Sequence, residues 1–243
     1  LELFILFIII NQEDNVICGI FGAKEFTKYV KLYNKNKKRG NFSYGGLLIG
    51  KRLHAILKTP GVTQLNNKLI IEYGKKKKYI NDFNYYLGHT QAPTSSQRKF
   101  TPATSHPFKY KDWLIAHNGV LTNDKQLKAL IPDKKAFNVV DSSVIPVLLH
   151  INEKSIKDEV AGIVRTLSQL KGTFGLWMYN QKSGNIYIAR SGSTLYADFI
   201  NNEFSSLPEP EYVALEEGLV YLLTQEGITS VGKFTSNSPF FTP

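Results

Sequence analysis

The chain of 243 residues holds one cysteine, Cys18, and one methionine, Met178. A lone thiol excludes a disulfide framework and any zinc centre built from several thiolates, and it fits a thiol-tolerant, cytoplasmic compartment. Long apolar runs are missing too. Leu3 to Ile10 is apolar but falls far short of the roughly 20 residues that cross a bilayer. Acidic Glu2 and the lack of a small-residue cleavage site argue against a secretory signal. None of the five histidines has the H-E-x-x-H spacing of a metal site, and Gly19-Ile20-Phe21-Gly22 lacks the lysine of a phosphate-binding loop. No metal, cofactor or membrane association is therefore expected. What is present is a globular composition, 42% apolar, 12% aromatic and 21% charged, which excludes wholesale disorder.

Bases are scarce toward the C-terminal end. From Ala197 onward there are seven carboxylates (Asp198, Glu203, Glu209, Glu211, Glu216, Glu217 and Glu226) against Lys233 alone. With +10 on the whole chain, the net −6 of this segment leaves +16 on the first 196 residues. Two runs, Lys35 to Arg39 and Lys75 to Lys78, concentrate the excess. Such runs attract phosphates or acidic partners. Neither is interleaved with aromatics, so both read as solvated loops, and nucleic-acid binding is not indicated.

Periodicity gives strands, then helices, then strands. Val16 to Gly22 is short, apolar and closed by glycine, a buried strand. Phe26, Tyr29, Val30 and Tyr33 mark the buried face of a helix from about Ala23 to Lys35. Strands are expected at Leu47–Ile49, His54–Leu57, Leu69–Tyr73, Tyr85–Leu87 and Trp113–His117, with a proline-punctuated loop over Gln91–Tyr110. Asn123 and Asp141 read as caps of the next two helices, Pro146 being a kink or a first-turn residue of the second. Ser155 with Asp158 resembles a capping box for a helix that Gly172 stops. Strands return at Phe174–Tyr179, Ile186–Arg190, Thr194–Ala197, Tyr212–Leu215 and Val220–Leu223. This order suggests one layered α+β domain with no internal linker or repeat.

Taken alone, Cys18 reads as a small buried hydrophobe. Its surroundings change that reading. Cys18-Gly19-Ile20-Phe21-Gly22 resembles the start of the class II glutamine amidotransferases, members of the N-terminal nucleophile hydrolases. Further segments match in the same order: Arg39-Gly40 with Gly45, Gly88-His89-Thr90 with Thr94, Ser105 to Phe108, Ala116-His117-Asn118-Gly119, Asp141-Ser142, and Leu170 to Phe174. The resemblance runs from residue 18 to about residue 198 and implies a four-layer αββα sandwich. It also implies that Cys18 attacks the side-chain amide of L-glutamine, its own α-amino group serving as base, to give glutamate and ammonia through a thioester.

The same resemblance assigns roles to residues. The Asn118 side chain and the Gly119 backbone N–H are implied as oxyanion donors, against the alternative that Asn-Gly is a hairpin turn. Asp141 is implied as the carboxylate that receives the substrate α-ammonium, against a plain helix cap. Gln91, Thr94 and His106 fall in the glutamine pocket, and His89 and His117 brace it. Gln91 stands where most relatives have a carboxylate-gripping arginine, so Arg98 is a candidate substitute, or else an exposed loop base. Phe42 stands where the family pattern has aspartate, which questions the bracing of Arg39.

Since an acylated α-amine is no base, residues 1–17 are expected to be a removable propeptide, an added strand or a mis-assigned start. Residues 18–243 are expected to form one amidotransferase domain with an acidic C-terminal segment from about 197. The synthetase half is expected to be a separate protein in trans. Two alternatives stay open: an N-terminal-nucleophile amidase acting on another amide, and a catalytically silent regulatory or binding module of the same fold.

Overall fold

The computed structural model describes residues 18–50, 54–59, 83–92 and 100–237. The expected leader 1–17, the strand at Leu69–Tyr73, the Lys75–Lys78 run, and Thr94 and Arg98 lie outside the described residues.

Two antiparallel sheets form the centre. The first joins β1 (Gly19–Ala23), β2 (Ser43–Gly50), β3 (His54–Thr59), β4 (Phe83–Gln91), β9 (Tyr196–Asp198), β10 (Glu203–Ser205) and β11 (Val213–Ala214) in the order β11-β9-β10-β1-β4-β2-β3. The second joins β5 (Phe108–Tyr110), β6 (Trp113–Leu121), β7 (Gly172–Asn180), β8 (Ile186–Ser191), β12 (Leu219–Leu223) and β13 (Ile228–Lys233) in the order β13-β12-β8-β7-β6-β5. Because side chains alternate along a strand, each sheet feeds two cores. Ile20, Leu47 and Leu87 meet Leu114, Ala116, Trp177 and Ile188 between the sheets. Phe21, Leu48 and Tyr86 turn outward onto α1 (Phe26–Asn36). On the far side, Ile115, Leu176, Met178 and Ala189 pack with Val147, Leu149, Ile163 and Leu167. These last four belong to α3 (Ile145–Ile156) and α4 (Glu159–Gln169). The layers are helix, sheet, sheet, helices, the expected αββα sandwich. Strands buried on both faces explain why their sequences are nearly continuous in apolar residues.

Several local expectations shift. The buried face of α1 is Tyr29, Leu32, Tyr33 and Asn36, with Phe26 and Val30 of the expected 26/29/30/33 set only partly buried at its edge. Ser155 caps nothing: it sits in the last turn of α3, which ends at left-handed Lys157 (φ 62°). Asp158 is the N-cap of α4 and accepts from the Ala161 N–H at 2.7 Å. Asn123 precedes α2 (Asp124–Leu130) without a side-chain cap bond. Its amide instead ties the chain ends around α4 and β7, donating to the Gln169 carbonyl (2.9 Å) and accepting from the Lys171 N–H (3.0 Å). Pro146 lies in the first turn of α3, the alternative to a kink. β5, β10 and β13 were not anticipated, and β5 falls inside the stretch read as loop.

The acidic segment from 197 is built into both sheets. It supplies β10 and β11 to one sheet and β12 and β13 to the other. The Lys35 to Arg39 run is solvated only in its middle, where Lys37 and Lys38 lie exposed in a turn. Lys35 ends α1 in an ion pair with Glu209 (2.6 Å), Asn36 is fully buried, and Arg39 turns inward.

Candidate active site

Cys18 lies at the entry to β1, 5% exposed, with its thiol 3.9 Å from the Ala92 carbonyl just past β4. β1 and β4 are paired antiparallel, Gly19 opposite Thr90, so the end of β4 lies beside the thiol. β6 passes beneath from the other sheet. A cavity of about 260 Å³ opens there, lined by Cys18, Gln91, His106, His117, Gly119, Val120, Leu121, Asp141 and Ser142. It suits a small metabolite better than a drug-sized ligand.

Two sheet-to-sheet hydrogen bonds fix the relative position of the walls. The Trp177 indole donates to the Gly88 carbonyl (3.1 Å), and the His89 Nε2 donates to the His117 carbonyl (3.2 Å). His89 in turn lies against His106, ring centroids 3.9 Å apart, and His106 packs edge-on to Phe108. The His106 backbone can reach this place because β2 has no side chain at Gly45. A Cβ there would stand 2.1 Å from the His106 carbonyl oxygen.

Asn118 and Gly119 are not a hairpin turn. Both lie inside the nine-residue β6, opposite Gly175 and Phe174 of β7. Gly119 has φ +147°, and an added Cβ would meet the Thr173 carbonyl at 2.1 Å and the His117 ring at 3.0 Å. The backbone here is therefore built for glycine. Asn118 is fully buried and donates from Nδ2 to the Ser206 hydroxyl (3.1 Å). Its Oδ1 is buried with no partner among the described residues. An unmet acceptor costs about 1–3 kcal/mol, a strain that functional sites retain.

Asp141 opens the 3₁₀ turn Asp141–Val144, whose N-cap is Val140. Its carboxylate does not cap its own helix by the expected route. It accepts from the Leu121 N–H at 2.9 Å and from the Ser142 hydroxyl at 3.2 Å. Burial pushes this carboxyl up, but the His117 charge and these hydrogen bonds outweigh it and hold it below the ordinary value. Ser142 also meets His117 Nδ1 at 2.8 Å, while His117 Nε2 donates to the Thr173 carbonyl at 3.1 Å. One hydroxyl hydrogen cannot serve both Asp141 and His117. Asp141, Ser142 and His117 thus form one polar chain along the cavity wall, in which the Ser142 hydroxyl hydrogen serves one neighbour at a time.

Arg39 is braced without the family aspartate. It donates to the Thr194 hydroxyl (3.1 Å) and the Ser206 carbonyl (2.9 Å). Phe42 contributes its backbone N–H to the Gln91 carbonyl (3.0 Å) and its ring to a stack on Phe100. Burial lowers the Arg39 guanidinium from its ordinary value, opposed by attraction to Cys18 and Tyr196.

Of the residues singled out in the sequence, Cys18, Gln91, His106, Gly119 and Asp141 line one cavity, and the Asn118 side chain lies behind it between the sheets. Among the described residues no His, Cys, Asp or Glu cluster could hold a metal, and no helix is long and apolar enough to cross a membrane.

Comparison with known proteins places this arrangement. No protein-family model matches the chain. Glutamine–fructose-6-phosphate aminotransferase (isomerizing) of Idiomarina loihiensis is 27% identical over 220 residues, covering 83% of this chain and 35% of that protein. The glutamine phosphoribosylpyrophosphate amidotransferase of B. subtilis superposes with a TM-score of 0.64 at 19% identity, over 91% of this chain and 50% of the other. A glutamine aminotransferase class-II domain protein from Silicibacter pomeroyi superposes with a TM-score of 0.57 at 17% identity, over 91% of this chain and all of the other. This chain is a homologue of the class II glutamine amidotransferases and has their fold. It spans about a third of the length of the curated relative. Ser206 and Thr194 are site-proximal residues whose contacts no local sequence pattern singled out.

Proposed function

We propose that the domain hydrolyses the side-chain amide of L-glutamine, with Cys18 as nucleophile. The observation that carries this reading is the single cavity shared by Cys18, Gly119 and Asp141, which come from β1, β6 and the 3₁₀ turn. A free Cys18 α-amine has an ordinary pKa near 7.7–8.0 and accepts the thiol proton close to neutral pH. The Cys18 sulfur bonds to the amide carbon, the C–N bond breaks, and the proton leaves with ammonia. Water then cleaves the thioester to glutamate and restores the thiol. Asn118 and Gly119 donate to the oxyanion, a role worth about 10²–10³ in rate per donor. Asp141 holds the substrate α-ammonium, and Gln91 and His106 line the same cavity; glutamine-binding roles for Thr94 and Arg98 rest on the sequence resemblance alone.

This chemistry requires the peptide bond ahead of Cys18 to be absent, so residues 1–17 are either removed or never translated in the active form. The ammonia goes to an acceptor-modifying protein in trans. Competition assays test the substrate reading: glutamine is expected to outpace a panel of neutral primary amides. Gln91 supports a second reading, because a neutral side chain lines the cavity where a carboxylate grip is expected. A preference for amides lacking the α-carboxylate favours that amidase reading.

A further inference from the structure

Ser206 has no role in the chemistry above, yet five hydrogen bonds converge on it. It is fully buried, one residue past β10. Its N–H donates to the Ile20 carbonyl (2.8 Å), and its hydroxyl accepts from the Ile20 N–H (3.0 Å). The same hydroxyl oxygen accepts from Asn118 Nδ2 (3.1 Å). Its carbonyl accepts from Arg39 (2.9 Å) and from the Thr194 hydroxyl (2.9 Å). One residue thus touches the strand two positions beyond Cys18, the amide assigned to the oxyanion, and the Arg39 guanidinium.

We propose that Ser206 is a positioning residue for the hydrolysis: its hydroxyl fixes the Asn118 amide relative to Cys18. An amide nitrogen has two donor hydrogens. By taking one of them, Ser206 sets the plane of the amide and reserves the other for the developing oxyanion. Because the same oxygen also holds Ile20, the nucleophile's strand and the oxyanion donor are referenced to one atom. Without it, Asn118 crosses the gap between the sheets unanchored, and a donor misplaced by a fraction of an ångström loses much of its effect in the transition state. This inference rests on Asn118 acting as the oxyanion donor.

The test compares Ser206→Ala, Asn118→Ala and the double variant in the form of the protein that releases glutamate from glutamine. Ser206→Ala is expected to lower kcat about tenfold, less than the ~10²–10³ of losing the donor itself, with KM for glutamine within twofold of the parent. Ser206→Thr, which keeps the oxygen, is expected to recover most of the rate. In the Asn118→Ala background, Ser206→Ala is expected to change kcat no further, because nothing is left to orient. Ser206→Cys, of similar volume but a poor acceptor, is expected to repeat the kcat loss and serves if the alanine variant does not fold. A folded Ser206→Ala or Ser206→Cys protein with parental kcat, or losses that multiply in the double variant, overturns the proposal. If Asn118→Ala itself leaves kcat unchanged, the oxyanion assignment has failed instead. A parent protein with no glutaminase activity overturns both.

Discussion

Asp141 is pulled in opposite directions: burial raises its carboxyl, while His117, the Leu121 N–H and Ser142 lower it, and the net direction is down. A carboxyl lower in the folded than in the unfolded chain adds stability that is complete above the unfolded-state value. That contribution is lost as pH falls through the folded value. Unfolding free energy measured by denaturant titration is therefore expected to start falling below about pH 4, with a flatter slope there in Asp141→Asn. The same variant is expected to raise KM for glutamine roughly 10- to 150-fold, the equivalent of about 1.5–3 kcal/mol for a lost charge-assisted bond. An unchanged KM removes Asp141 from the ammonium site. The residues that were legible in the sequence, Cys18, Gln91, His106, Asn118-Gly119 and Asp141, all sit in short motifs whose neighbours are also constrained. Ser206 was illegible for the opposite reason. Its partner Ile20 is 186 positions away, and a serine after a short strand has no pattern of its own.

Elements buried on both faces were the easiest to anticipate, because β1, β2, β4, β6 and β7 read as apolar runs whatever their partners. Their edges were harder. β6 was expected to stop at His117, since Asn-Gly is a turn signal when considered locally. Pairing with β7 carries the strand through to Leu121, and the Thr173 carbonyl of β7 closes the space that a side chain at residue 119 would need. The junction between α3 and α4 was misplaced by one cap. Ser155 and Asp158 have the spacing of a capping box, but a left-handed Lys157 lets a second helix start at once, and Asp158 alone caps it. Thermal or denaturant unfolding can separate the two assignments. Asp158→Ala is expected to cost about 1 kcal/mol, and exposed Ser155→Ala no more than ~0.5 kcal/mol. Equal losses contradict the observed cap.

The charge of the whole molecule looks different once the chain is folded. The basic first part and acidic last part are not separate surfaces, because Lys28 of α1 pairs with Glu203 (2.9 Å) and Lys35 with Glu209 (2.6 Å). These pairs are partly exposed and each contributes less than about 1 kcal/mol. What they do is seat the late strands beside α1, where Ser206 and Thr194 meet Arg39. Layer order and sheet composition were legible as a class, strands then helices then strands. The strand order was not, because the late strands cross back to flank β1 and β8, a pairing that no local signal encodes.

Glutamine hydrolysis by Cys18 with a free α-amine is the proposed activity. The most direct measurement is glutamate and ammonia release by protein whose first residue, verified by intact mass, is Cys18, alongside the same protein carrying Cys18→Ala. Glutamate and ammonia are expected in equal amounts from the first and none above background from the second. Undiminished release from Cys18→Ala, or no release from the Cys18-initiated protein, contradicts the proposed activity.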